Sequence, residues 1–304
     1  MKKAKILCAA LGIMIFSSFS VSAKTMNSGT NSTAYQNVQG ANQSQFSKFE
    51  FECRNSRSVP IRGTVELPQG IGNKKVPVVI MSHGIFGNRD SGGDFVKLAS
   101  SLNSRGFATV RFDFDGNGRS GGSLIDNSIK TEMDDLSAVI NYVKTLSFVD
   151  SSKINLFGFS MGGAVTSVVA GDRSREIKSV CLWAPAAVLV DNCEKGILFD
   201  AKVDIHNIPD RIPVLGGRVM YGKAFFKDAI GFDLYGRAAK CNKDILILHG
   251  DNDYVVPLSY AQKYTKVCPH ATLNIIRGGG HGNSGKLLDD TINMTTNYFV
   301  QENR

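Results

Sequence analysis

The spacing of apolar positions changes character along the chain. Val59, Ile61, Val65 and Leu67 alternate with polar or small neighbours, the period of a strand with one covered face. Residues 46–53 alternate less regularly through Phe46, Phe49, Phe51 and Cys53, and the two segments are expected to open the fold as an antiparallel pair. Residues 76–81 then form an unbroken apolar run, as a strand covered on both faces requires. Residues 95–102 read as a helix, 107–112 as a strand, 129–146 as a long amphipathic helix and 154–157 as a further strand. The small, apolar stretch 164–170 reads as a helix. Strands at 180–184, 245–248 and 273–276 and a closing helix at 286–300 complete the series. This alternation predicts an α/β domain on a mostly parallel, doubly wound sheet of about eight strands.

Residues 185–240 break the rhythm. Pro185, Pro209, Pro213 and frequent glycines interrupt any long helix there. An insertion between two strands, on the side where their C-terminal ends open, is placed to act as a lid. The other end of the chain has its own pattern. Lys2, Lys3 and Lys5 precede an apolar stretch, 6–16, and Val21-Ser22-Ala23 offers a small-residue cleavage site. These features predict a cleaved signal peptide over residues 1–23 and a secreted or periplasmic mature chain. The rival reading is an uncleaved anchor, against which the shortness of the apolar stretch argues. Residues 24–45 are rich in Ser, Thr, Asn, Gln and Gly and read as a flexible linker. The folded domain is then 46–304.

The chemistry concentrates where predicted strands end. Gly158-Phe159-Ser160-Met161-Gly162 joins a strand to a helix, the context of a nucleophile elbow, in which a sharp turn exposes a serine hydroxyl. Met161 N–H, at the helix start, is a candidate oxyanion donor. Ser82-His83-Gly84-Ile85-Phe86-Gly87 follows the run 76–81, and Ile85 N–H is the second candidate. His249-Gly250-Asp251-Asn252-Asp253 follows another strand; Asp253 is the expected orienting acid, with Asp251, earlier in the turn, the alternative. Gly278-Gly279-Gly280-His281-Gly282 places a histidine on a glycine-rich loop after the last strand. Of the five histidines, His281 alone has both position and order. His83 and His249 read as structural. The order Ser160, Asp253, His281 is that of α/β-hydrolases. Two further stretches, starting at Gly116 and Gly280, spell G-x-G-x-x-G, but neither opens a βαβ unit with an acid at the end of the next strand, so neither reads as a dinucleotide site.

Within that superfamily the chain resembles the bacterial cinnamoyl (feruloyl) esterases. The resemblance covers about residues 46–300. It rests on His83-Gly84-Ile85-Phe86-Gly87-Asn88, on Arg111-Phe112-Asp113-Phe114-Asp115-Gly116, on the elbow, on Ala184-Pro185-Ala186-Ala187, on Ile208-Pro209-Asp210-Arg211 and on the turn ending in Asp253. Asn117 departs from the histidine usual in the family, and Met161 from the polar residue often found after the serine. The resemblance implies an esterase in which a lid aspartate and tyrosine hold a phenol hydroxyl. The corresponding stretches here are Asp191-Asn192 and 221–225, so Asp191, Asn192, Tyr221 and Phe225 are the candidate substrate contacts.

Composition narrows the partners. At 42% hydrophobic and 20% charged residues, the chain fits a globular protein with a sizeable core. Removal of residues 1–23 takes three lysines and no acid, lowering the net charge from +8 to +5. That charge is spread along the chain, so no nucleic-acid footprint is expected, and no membrane attachment once the signal is cleaved. Five cysteines remain. An exported protein permits disulfides, and Cys193 and Cys241, near the two ends of the lid, could be bridged. No C-x-x-C or H-E-x-x-H pattern suggests a metal. The expected activity is a serine carboxylesterase needing no cofactor, acting on a small-molecule or plant cell-wall-derived ester such as a hydroxycinnamoyl ester. A serine peptidase or acylglycerol lipase on the same scaffold is the alternative. A catalytically silent binding protein is the alternative of another class, against which the intact triad argues.

Overall fold

The computed structural model describes residues 48–304. The signal peptide and linker expected for residues 1–45 lie outside the described residues. The chain opens with β1 (Lys48–Arg54), β2 (Pro60–Glu66), β3 (Val76–Ser82), β4 (Ala108–Phe112), β5 (Val149–Phe159) and β6 (Ser179–Trp183). Four short lid strands follow: β7 (Ile197–Leu198), β8 (Ala201–Lys202), β9 (Arg211–Val214) and β10 (Val219–Gly222). The chain then returns to the main sheet with β11 (Ile245–Gly250) and β12 (Ala271–Ile276).

The main sheet has eight strands in the order β1-β2-β4-β3-β5-β6-β11-β12. The opening pair is antiparallel, as its alternation predicts, and β2 also runs antiparallel to β4. The rest of the sheet is parallel. This is the α/β-hydrolase fold. Helices Asp94–Asn103 and Gly285–Glu302 cover one face, where Phe95, Leu98 and Leu102 share a core with Leu288, Ile292 and Phe299. Helices Ile129–Lys144, Ser160–Asp172 and Leu258–Val267 cover the other. With both faces covered, the central strands need not alternate; all five residues of β4 and of β6 are buried.

The helix Leu258–Val267 has no counterpart in the sequence reading. It buries only Ala261 and Tyr264, too few positions to mark a helical period. The parallel register aligns the strands' C-terminal ends: Ser82 pairs with Gly158, Phe159 with Trp183 and Gly250 with Ile276. Every loop carrying candidate chemistry therefore leaves the same edge of the sheet.

The insertion 185–240 is two things rather than one. Its larger part builds a small core of its own from Cys193, Leu198, Ile212, Val214, Tyr221 and Phe226. Its last residues join the main core instead: Leu234 and Ala238 pack with the elbow helix, and a Cβ at Gly171 of that helix would overlap the Arg237 carbonyl. This division separates the two cysteines that could have been bridged. Cys193 lies in the lid core and Cys241 in the main core. Among the described residues all five cysteines are free thiols.

Candidate active site

Ser160 sits between β5 and the helix Ser160–Asp172 with φ +56°, a left-handed conformation that costs a non-glycine residue of the order of 1–2 kcal/mol. Surrounding packing imposes it. A Cβ at Gly162 would overlap the carbonyl oxygens of Ser82 and His83, and one at Gly158 would lie 2.5 Å from the Gly162 oxygen. The two elbow glycines are thus required by backbone-to-backbone contact. Met161 is the second residue of the helix, so its N–H has no acceptor one turn back.

The loop after β3 comes equally close. A Cβ at Gly84 would lie 3.0 Å from the Ser160 Cβ. Gly87 N–H donates to Gly84 O at 3.0 Å, closing a tight turn with Ile85 and Phe86 at its centre. Phe86 is left-handed, φ +59°. Its ring packs on Phe199 and Tyr221 of the lid, with centroids 5.0 and 5.8 Å away. The loop is braced from beneath. His83 Nε2 accepts from Phe114 N–H at 3.1 Å, so Nδ1 carries the proton and donates to Gly84 O at 2.8 Å. Burial lowers the His83 pKa, in keeping with a neutral ring. Arg89, just past the loop, makes two bonds of 2.9 and 2.7 Å to Asp113 Oδ2 at the end of β4.

The acid and histidine loops are zipped together. Asn252 N–H donates to Gly279 O at 2.9 Å, and Gly278 N–H to Asp251 Oδ1 at 2.7 Å. Asp251 thus closes the turn, leaving Asp253 to face the site. Asp253 Oδ1 accepts from Val255 and Val256 N–H, each at 2.8 Å. Its Oδ2 lies 2.8 Å from His281 Nδ1, and His281 Nε2 lies 2.8 Å from Ser160 Oγ. Burial pushes the Asp253 carboxyl up, but the bonds from His249 and His281 outweigh it and hold it well below the usual carboxylate range. A carboxyl held below its usual range, an imidazole and a hydroxyl therefore stand in one line, although Ser160, Asp253 and His281 lie on three loops far apart in sequence. The arrangement can move a proton from Ser160 Oγ to His281 as the oxygen attacks an electrophilic carbon.

The lid candidates are placed less favourably. Tyr221 and Phe225 are 1% and 2% exposed and pack edge to face at 4.9 Å within the lid core. That core reaches Met161, Ile85 and Phe86, so both aromatics pack against the elbow and the loop after β3 rather than line open space. Asp191, on helix Val188–Glu194, accepts a 2.6 Å bond from Tyr260 Oη; Asn192 next to it is half-buried. Three neighbours of the site were not assigned to it in the sequence reading. Tyr260 lies on the helix that went undetected. Phe159 packs its ring 5.1 Å from that of His281. His249 approaches Asp253 Oδ2 at 3.2 Å, and its spacing four residues ahead of the acid was the available signal.

Est1E from Butyrivibrio proteoclasticus, solved with ferulic acid bound, superposes on this chain with a TM-score of 0.76 at 26% identity, covering 82% of this chain and 98% of that one. The chain is an α/β-hydrolase. Residues 73–202 of the hydrolase match the family described as serine aminopeptidase, S33; that span holds Ile85, Ser160 and Met161 and ends inside the lid. An uncharacterised 31.7 kDa protein from the traX–finO intergenic region of Escherichia coli is 35% identical over 132 residues, 42% of this chain and 44% of that one. The uncharacterised protein YfhR of Escherichia coli O157:H7 is 26% identical over 213 residues, 70% of this chain and 65% of that one. The hydrolase spans under half the length of the first curated relatives it matches.

Proposed function

We propose that this hydrolase is a secreted serine carboxylesterase acting on hydroxycinnamoyl esters. The observation that carries the reading is the unbroken line of 2.8 Å contacts from Asp253 through His281 to Ser160. Ser160 Oγ attacks the ester carbonyl while His281 Nε2 takes its proton. Asp253 orients the imidazole and stabilises its charge. The N–H groups of Ile85 and Met161 receive the developing oxyanion. His281 then returns the proton to the departing alcohol, leaving an acyl group on Ser160. A water, deprotonated by the same imidazole, releases the acid. The likeness to a structure that holds ferulic acid supports a planar aromatic acyl group, and Asn192 and Asp191 are the lid residues suited to pair a ring hydroxyl. Export rests on the N-terminal pattern of the sequence and is tested by N-terminal sequencing of secreted material, which should begin at or near Lys24.

A second reading has one observation in its favour: the span matching the S33 aminopeptidases makes an amide substrate the competitor. One panel separates the two. Methyl hydroxycinnamates, short p-nitrophenyl esters, monoacylglycerols and aminoacyl amides should be compared by kcat/KM. The esterase reading expects methyl ferulate or methyl p-coumarate to lead. Preference for aminoacyl amides would replace it with the peptidase reading.

A further inference from the structure

Asp253 Oδ2 faces two imidazoles. His281 Nδ1 lies at 2.8 Å and His249 Nε2 at 3.2 Å. His249 belongs to β11 and its side chain is wholly buried. Its Nε2 also lies 2.8 Å from Val256 O. A carbonyl oxygen can only accept, so Nε2 carries the ring proton and donates it to Val256 O, with Asp253 Oδ2 beside that N–H at 3.2 Å. The other nitrogen, Nδ1, is buried with no hydrogen-bond partner. A buried ring nitrogen left unpaired is a cost, and the bonds made by Nε2 are what the fold gains from placing a histidine there.

The surrounding contacts show what that second contact adds. Val256 donates its N–H to Asp253 Oδ1 and accepts the His249 proton at its carbonyl. Ring, loop and carboxylate form a closed circuit. The two backbone N–H groups fix Oδ1 alone, about which the carboxylate plane could still swing. Oδ2 is otherwise held by His281, whose own loop is rich in glycine. His249 lies on β11, paired on both sides by β6 and β12, and is the rigid partner of Oδ2.

We propose that His249 is a positioning residue for the hydrolytic reaction: its Nε2–H, held by β11, fixes Asp253 Oδ2 where it meets His281. The inference rests on the serine-esterase reading above for its effect on rate, though not for the bond itself. His249→Leu keeps the bulk and removes the donor, whereas His249→Gln returns an N–H close to the position of Nε2. With p-nitrophenyl acetate as substrate, His249→Leu should lower kcat roughly ten- to hundredfold, the worth of one hydrogen bond to a charged group, with KM unchanged. His249→Gln should recover most of the loss. A structural role alone would lower the melting temperature and the active fraction without this rescue.

The Ser160→Ala variant, assayed beside them, tells the two claims apart. If it retains wild-type hydrolysis, the serine-esterase reading fails. If it is inactive while folded His249→Leu keeps wild-type kcat, or while Gln rescues no better than Leu, the positioning role alone is overturned. Ring ¹⁵N spectra of the wild type and of Asp253→Asn test the contact even if His249→Leu does not fold: the Nε2–H resonance of His249 should shift between the two, and an unchanged resonance overturns the proposal. A protonated Nε2 and a bare Nδ1 on His249 are expected. A bare Nε2 overturns the proposal.

Discussion

The elbow and the lid face each other across one site and are held together in opposite ways. At the elbow, backbone meets backbone. Every residue of the helix from Ser160 to Gly171 is buried, and a side-chain carbon at Gly162 would overlap two carbonyl oxygens. Such contacts admit one residue type per position. In the lid, side chain meets side chain. Its strands are two to four residues long and its core is filled by rings such as Tyr221, Phe225 and Phe226. Apolar packing tolerates many combinations of similar volume. On the proposed function, chemistry sits on the rigid, uniquely specified side, and discrimination between substrates on the side that can vary. Phe86 joins them. It belongs to the loop after β3, yet its ring lies among lid aromatics, so the lid supports a strained turn next to Ser160.

If that contrast holds, the largest effect belongs to the elbow. Ser160→Ala should lower kcat by roughly 10⁴- to 10⁶-fold, since only the oxyanion hole and binding remain, while far-UV circular dichroism and melting temperature stay those of the wild type. Ordinary activity in the folded variant would remove Ser160 from the chemistry. Asp253→Asn follows, with a loss of the order of 10⁴ because the amide favours the wrong tautomer of His281. Asp251→Asn, which touches only the Gly278 and Arg277 side of the turn, should cost far less. Steady-state assays giving the reverse ranking would move the acid role to Asp251.

The next test concerns the rigid side's stability. Burial pushes the Asp113 carboxyl up, and the bonds and charge of Arg89 outweigh it, leaving it below the ordinary range. A carboxylate depressed in the folded state contributes stability above its unfolded pKa, about 3.9, and loses that contribution as pH falls toward the folded value. Asp113→Asn should cost about 3–5 kcal/mol near pH 7, because Arg89 stays buried and short of a partner. The gap between wild type and variant in urea melts should shrink as pH drops below about 4. A gap independent of pH would mean that the Arg89 pair does not stabilise the loop through charge.

The smallest effect belongs to the lid. Alanine at both Asp191 and Asn192 should narrow, by a few fold to tenfold, the kcat/KM preference for methyl ferulate over methyl cinnamate, since a site that pairs a hydroxyl discriminates against analogues lacking it. Single substitutions sharpen this. Asp191 is already bonded to Tyr260, so Asn192→Ala should account for most of the change. Equal rates on both esters in the wild type would make the lid an apolar cover and the protein a general short-chain esterase.

The sheet and the glycines of the elbow are legible from sequence because each follows from short-range rules. Alternation marks β1 and β2, unbroken apolar runs mark the covered strands, and Gly158 and Gly162 mark a turn where no Cβ fits. The choice of Asp253 over Asp251 was half-legible. Position in the turn favoured it, but the opposite roles of the two carboxylates depend on Gly278 and His281, more than twenty residues away. Whether Cys193 and Cys241 pair is not legible in the sequence, because closeness to the two ends of an insertion says nothing about which core each end joins. Spacing does not show that Tyr221 and Phe225 are buried in the lid core, because an aromatic suited to a ligand is equally suited to a core. The partners of His249, Asp191 and Phe86 were decided by tertiary structure alone. Each depends on which surfaces meet when helices and lid close over the sheet, and one-dimensional spacing carries that information only where contact is tight enough to forbid every residue but one.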